Sequence, residues 1–472
     1  MIFSIAWKNV WRSKVRSLVV ILAIGIGLLG GITAVAFMNG LLIGRLNDAI
    51  KVEVSSIQLH NAAFMENDEI QYTISDVDEL VQQMESMQGV EAVSKRFRTE
   101  TMLNSNRSAA GATIIGVVPE QEKKISELYQ HLVDSNSHYF EGIKRRPILI
   151  GKKLADKLKV HVRSKLLINT VDADGNAVRE VFRVVGIFKT QNAGFDEMNV
   201  FIRFSDAQKI FHLKDDEAHE IAILMKDMMA TKGIAKELKN QFTRYQIDDK
   251  ALLKARNDSI PESIYKVLES LKSDSVYSYS RYGALLSQKI GKDKYTEYEK
   301  PLSALSESGL NVAEWKNISP ELAMQSTWLD LMLYVFVGII LLALGFGIVN
   351  TMLMAVLERV RELGMLIAIG MNRRRVFSMI VIETVFLSLT GGFVGMLLAW
   401  GTVSILNHTG VDMSQFADGM EALGYPSLTY PSVSMSDYTT ITIMVVITGI
   451  LAAIYPALHA IRLKPAEAIR KE

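Results

Sequence analysis

Apolar residues follow two patterns along this chain. Four stretches carry no charge at all: 28 residues between Arg16 and Arg45, 27 between Asp330 and Glu358, 28 from Thr384 to Val411, and 24 from Tyr438 to Ile461. About 20 apolar residues as a helix cross the hydrocarbon core of a bilayer. The pattern therefore predicts four transmembrane helices, at 18–40, 328–357, 376–406 and 438–461, and excludes a wholly soluble protein. The second pattern is mixed, over 41–327, which is too long for a loop and needs its own core. Residues 166–171, the pair Asp174-Gly175, and residues 178–187 read as strand, turn and strand. Residues 77–87 and 206–213 read as helices, and 148–158 as a strand turning into a helix. Residues 226–310 are more polar and read as a helical insertion, with Tyr277–Tyr282 as solvated turns. The fold class expected is a membrane α-helical protein of four transmembrane helices, with a large α+β extracytoplasmic domain between helices 1 and 2.

Residues 1–17 add an amphipathic pattern. Phe3, Trp7, Val10 and Trp11 fall on one helical face, and Lys8, Arg12 and Arg16 recur on another. That predicts an interfacial helix, with Trp at headgroup depth and basic groups toward anionic lipid. A signal peptide is rejected, because the leading segment and the apolar stretch are both too long for one.

Charge then orients the spans. Segment 1–17 carries four Lys/Arg, connector 358–375 five, connector 407–437 none, and tail 462–472 four. The positive segments lie in the cytoplasm. Both termini and 358–375 are then inside, and 41–327 and 407–437 outside. The net charge of +1 on 472 residues argues against a nucleic-acid partner. There are no cysteines, so disulfides and thiolate chemistry are excluded.

Catalytic patterns are missing. His219-Glu220 lacks the second histidine of a zincin. No G-x-S-x-G elbow occurs, and no G-x-x-x-x-G-K-[ST] phosphate loop. Asp172, Asp174 and Asn176 have a glycine at the wrong position for a calcium loop and read as a hairpin turn, so no metal ligands are assigned. Gly27 and Gly31, and Gly391 and Gly395, are spaced for close helix packing, within the chain or with a second subunit. Glu383, a carboxylate inside the third span, is expected to snorkel or to meet Arg373–Arg375.

The connector 358–375 is the most informative stretch. Glu358, Arg359, Arg361 and Glu362 are followed by Leu363, Gly364, Leu366, Ile367, Ala368 and Gly370, with near-helical apolar spacing and a glycine stop. Such a helix suits docking into another protein's groove. It also suits lying on its own bundle, and the residues alone leave both open.

This E-R-x-R-E-L-G-x-L-x-A-x-G run resembles the coupling segment of MacB/FtsX-type ABC transporter permeases. Ala6-Trp7-Lys8-Asn9-Val10-Trp11-Arg12 is similar to the opening of the lipoprotein-releasing branch. Ile57–His60 and Phe182–Phe188 resemble strands of its external domain. Pro456-Ala457, Ala460, Leu463, Pro465 and Glu467–Arg470 resemble the family's C-terminal signature. The resemblance implies a non-catalytic permease subunit of the bacterial inner membrane, paired with a second permease copy or paralogue and a dimer of ABC ATPase subunits. ATP and Mg would sit on the ATPase, and no cofactor on this chain. The connector would transmit ATPase motion to the external domain. Glu362 and Arg361 would supply polar contacts, Leu363, Leu366 and Ile367 the buried anchor, and Gly364 close backbone approach. The implied substrate is a lipoprotein extracted from the membrane, with a periplasmic acceptor. The same architecture serves mechanical efflux of another amphipathic molecule, or FtsX-like activation of an extracytoplasmic enzyme.

Overall fold

The computed structural model describes residues 7, 11, 14–67, 69–140, 146–247, 249–257, 260–272 and 276–461. Most of the expected N-terminal helix, the tail 462–472 and most of the C-terminal signature lie outside the described residues. The chain divides into two compact units, one of residues 1–44, 324–417 and 426–472, the other of 45–323 and 418–425.

The first unit is helical. Its long helices are α1 (Lys14–Asp48), α2 (Pro320–Glu358), α4 (Arg373–Thr409) and α5 (Met435–Ile461). The short α3 (Val360–Ala368) links α2 to α4. The four long ones are long and apolar enough to cross a membrane. Val20, Ile24 and Leu28 of α1, Ile348 of α2, Ile380 of α4 and Val445 of α5 share one buried core. Lipid tails give apolar helices no hydrophobic reason to associate, so close backbone approach matters. A Cβ on Gly391 would lie 2.9 Å from Ile24 Cβ, and one on Gly395 2.9 Å from the Gly25 carbonyl. Gly27 and Gly31 instead meet Leu344 and Ile340 of α2. All four glycines singled out in the sequence thus serve packing inside the chain. Outside α4, Val411–Asp412 and Leu428–Thr429 form a two-stranded ladder.

The second unit is an α/β domain. Its strands are β1 (Ile57–Asn61), β2 (Val90–Asn104), β3 (Ala109–Val117), β4 (Pro147–Gly151), β5 (Lys165–Val171), β6 (Ala177–Phe188), β7 (Asn199–Arg203), β8 (Glu220–Met225), β9 (Thr243–Gln246), β10 (Val276–Ser278) and β11 (Glu307–Glu314). They form one sheet in the order β10-β9-β11-β1-β8-β2-β3-β7-β4-β6-β5. The β3–β7 and β4–β6 pairs are parallel, the rest antiparallel, and the far end of β2 also pairs with β5. β5 and β6 turn back at Gly175, whose φ of +81° is the left-handed conformation such a tight turn uses. Helix Val77–Glu85 buries Val77, Val81 and Met84, one face of a 3.6-residue period. They join Ile57, Phe97 and Ile114 in the main core.

That core encloses charge. Arg96 on β2 donates to Glu122 at 2.7 and 3.0 Å and to Glu220 on β8 at 2.8 Å, and all three side chains are buried. Burial alone would raise the Glu220 pKa, but Arg96, His60 and Arg98 together outweigh it and hold the carboxyl below its usual range. Asp196 is paired with no cation among the described residues, and Lys189 only partly offsets its burial. Burial pushes the Asp196 carboxyl up to about 7, against hydrogen bonds from Thr190.

Residues 226–310 differ from the purely helical expectation. Beside the helices Thr231–Phe242, Asp249–Asn257, Glu262–Ser270, Tyr279–Ile290 and Lys292–Ser306 lie β9, β10 and the start of β11, which extend the main sheet. The tyrosines are not solvated turns either. Tyr282 is fully buried, stacks on Tyr245 at 4.7 Å, and donates to the Leu302 carbonyl at 2.9 Å. An aromatic body with a satisfied hydroxyl is a core residue, and here it organises a separate small core.

Candidate functional site

In the connector between α2 and α4, a single non-helical residue separates α2 from α3. α2 ends at Glu358, Arg359 takes φ −101° and ψ 16°, and α3 starts at Val360, with the Leu363 amide donating to the Arg359 carbonyl at 2.9 Å. α3 runs to Ala368. Gly370 then takes φ +101°, a conformation glycine adopts without strain. The Met371 amide closes back on the Leu366 carbonyl at 3.0 Å. Asn372 caps α4 by accepting from the Arg374 amide at 3.0 Å.

α3 has two faces. Leu363 and Gly364 are buried, and Leu366 and Ile367 are half-buried against the bundle core. Glu358, Arg361, Met365, Ala368, Ile369 and Gly370 are exposed, Ile369 at 85%. Glu362 is half-buried. Of the three residues expected to anchor a partner, Leu363 is covered by the chain's own bundle and Leu366 and Ile367 are partly covered, while Met365 and Ile369 face outward. Residues 363, 366 and 367 lie three to four apart on one helical face, and 361, 365, 368 and 369 on another. Periodicity finds the stripe but not what covers it.

Glu383 also finds a partner other than the expected one. Its two oxygens accept from Arg359 Nη1 at 3.1 and 3.3 Å, and the side chains are 14% and 10% exposed. Arg373–Arg375 are exposed at the start of α4. Glu383 points inward with Ile380 and Leu387, so the cation that reaches it comes from the α2–α3 corner. The interhelical pairing had no signal in the sequence beyond the rarity of a carboxylate in a span.

In the α/β domain, Asp172, Asp174 and His212 have ligand atoms within 4.8 Å of one another. The Asp172 oxygens already accept from the amides of Asp174 and Asn176, from Asn176 Nδ2, and pair with His212 Nδ1 at 3.0 Å. That is how a turn caps itself.

Four apolar helices, a capped connector helix and a mixed-sheet domain inserted after the first helix define a multispan membrane protein with a large extracytoplasmic module. Comparison gives the family. Residues 17–241 match the MacB-like periplasmic core domain, and residues 334–465 the FtsX-like permease C-terminal domain. The chain thus carries both domains of a MacB/FtsX-type permease, a MacB-like periplasmic core domain followed by an FtsX-like C-terminal domain. It is similar to the uncharacterized ABC transporter permease YknZ of Bacillus subtilis, with 31% identity over 29% of this chain and 30% of that one. It is also similar to the macrolide export ATP-binding/permease protein MacB of Rhodopirellula baltica, with 34% identity over 29% of this chain and 18% of that one. The pyoverdine export ATP-binding/permease protein PvdT of Pseudomonas fluorescens matches at 31% identity over 41% of this chain and 27% of its own length. The matched regions span less than a third of each of these relatives. The solved extracellular domain of YknZ aligns over 39% of this chain and 91% of its own, at 15% identity and a TM-score of 0.28.

Proposed function

We propose that this chain is the permease subunit of an ABC transporter, taking motion from a separate ATPase dimer at the connector and delivering it to the extracytoplasmic domain. The observation that carries the reading is the α3 helix. It is seated on the bundle by Leu363 while presenting Arg361, Met365 and Ile369 outward. A helix fixed on one face and free on the other suits a partner's groove. Continuity supports transmission, since α1 runs from Lys14 to Asp48 and passes directly into the π-helix Ala49–Val54 before β1. ATP and Mg would be bound by the partner.

The proposed orientation places both termini and the connector in the cytoplasm. The substrate class is an amphipathic molecule handled on the outer side of the inner membrane, a lipoprotein as first reading. An acyl chain is held by about 0.8 kcal/mol per buried CH2, so its extraction needs coupled work. The names of MacB and PvdT favour the second reading, export of a small amphipathic compound.

Purification with native partners, followed by mass spectrometry of proteins and lipids, tests this. An ABC ATPase and an acylated protein are expected. A small amphiphile in place of the acylated protein supports the second reading, and no ATPase at all refutes the coupling role. Orientation is checked on the cysteine-free chain. An impermeant thiol reagent should label Ser414→Cys and leave Asn372→Cys unlabelled in intact cells.

A further inference from the structure

We infer that Arg359 and Glu383 form a joint that makes α2, α3 and α4 respond together when α3 is displaced. They are positioning residues rather than docking residues. The inference rests on the coupling role proposed above and goes beyond it, because it names the route that the motion takes.

Three observations meet at this point. Arg359 is the single residue that interrupts the helix between α2 and α3, with φ −101° and ψ 16°. The angle between those two helices is therefore governed by very few dihedrals. The side chain of that same residue crosses to α4, where Nη1 lies 3.1 and 3.3 Å from the two Glu383 oxygens. Glu383 lies ten residues after Arg373, about 15 Å along the helix axis, inside a segment otherwise free of acidic groups up to Asp412.

A carboxylate so placed is costly in hydrocarbon and is retained where it meets a partner. Charge-assisted hydrogen bonds of this kind are about twice as strong as neutral ones, and at 10–14% exposure they are little screened. The backbone links α3 to α2 at one end and, through Gly370–Asn372, to α4 at the other. The ion pair adds a cross-link between the corner and the interior of α4. A push on α3 then loads α4 directly and not only through the glycine turn. Without the pair, α3 can pivot about Arg359 while α4 stays behind.

The test needs no partner for its main arm. On the cysteine-free chain in liposomes, a spin label is placed at exposed Ile369 and, separately, at exposed Ser414 as reference. Glu383→Gln should shorten the rotational correlation time at 369 several-fold and leave 414 unchanged. The doubly neutral Arg359→Gln, Glu383→Gln variant, which removes both charges of the pair, should loosen 369 to the same degree. A second arm measures the ATPase that co-purifies with the wild-type chain. The doubly neutral variant should still capture it, while its stimulation falls about tenfold, equivalent to about 1.4 kcal/mol. If residue 369 in the doubly neutral variant is as immobile as in wild type, or if 369 and 414 loosen equally, the pair is ordinary packing and the inference fails. Failure to capture any ATPase with the wild-type chain sinks the coupling role instead, and leaves the spin-label result to stand by itself.

Discussion

Arg96 in the α/β domain is held by Glu122 and Glu220, and Arg359 in the helical bundle by Glu383. Both arginines are removed from solvent, yet their backbones differ. Arg96 lies in the middle of β2, with ladders to β3 and β8 on either side. Its dihedrals are already fixed, so the ions add stability and little orientation. Arg359 lies at the one break between α2 and α3. There the ion pair is a main constraint on the direction of a helix. The same chemistry serves cohesion where the backbone is over-determined and orientation where it is not.

The first way to break this comparison is Arg96→Met. Stranding two buried carboxylates should cost about 3–5 kcal/mol, read as a large fall in the unfolding midpoint of the purified chain. Adding Glu122→Leu and Glu220→Leu should recover most of the loss, because an apolar replacement of a whole buried ionic cluster is often neutral. If the single change is harmless, the cluster is hydrated and the contrast with Arg359 disappears.

Glycine contacts sharpen the contrast next. Gly395→Leu should overpack the α1–α4 contact, where a Cβ already lies 2.8 Å from Leu28 Cβ, at about 1–3 kcal/mol. Gly347→Leu, with nothing within 4 Å of its Cβ position, should stay within about 0.5 kcal/mol. Thermal inactivation in detergent ranks the two, and equal effects would mean that the approach of α1 to α4 is not close.

Titration tests the α/β domain by itself, through two buried groups. Asp196 holds its proton to about pH 7 when folded, whereas the free side chain releases it near 3.8. The folded state therefore binds more protons through that window, and stability falls as pH rises from about 4 to about 7. His219 works the other way. Burial lowers it to about 4 from 6.5, so stability falls as pH drops through that range. The two partly cancel in the wild type. Asp196→Asn should unmask the histidine, giving an unfolding temperature that drops on acidification from pH 6.5 to 4.5 and is flat above. An unchanged pH profile would show that Asp196 is solvated.

The smallest change in stability is expected on the outer face of α3. Met365→Glu and Ile369→Glu alter exposed positions and should shift stability by less than about 0.5 kcal/mol. Both should abolish capture of an ATPase. Leu363→Ala, in the bundle core, should instead cost about 2–5 kcal/mol. Capture unaffected by both surface variants would assign docking to another face.

Much of this architecture was legible in the residues. Charge-free stretches of 24 to 28 residues marked the four long helices, because hydrocarbon accepts little else over that length. Alternation and Asp174-Gly175 marked the β5–β6 hairpin, because a strand has a period of two and a tight turn needs positive φ. Glu358–Gly370 was legible as a capped amphipathic helix of MacB/FtsX type. These are local properties, set by a few neighbouring residues.

Tertiary structure decided everything that depends on which surface meets which. It turned Leu363 inward and Ile369 outward, brought Arg359 to Glu383 across 24 positions, and set Gly391 and Gly395 against α1. It placed Tyr282 in a core rather than in a turn, and closed Arg96 between carboxylates 26 and 124 positions away. A periodic pattern states that a face is apolar and a charge states that it needs a counter-charge. Neither names the partner, because packing and Coulomb attraction act through space between segments whose separation along the chain carries no record of their contact.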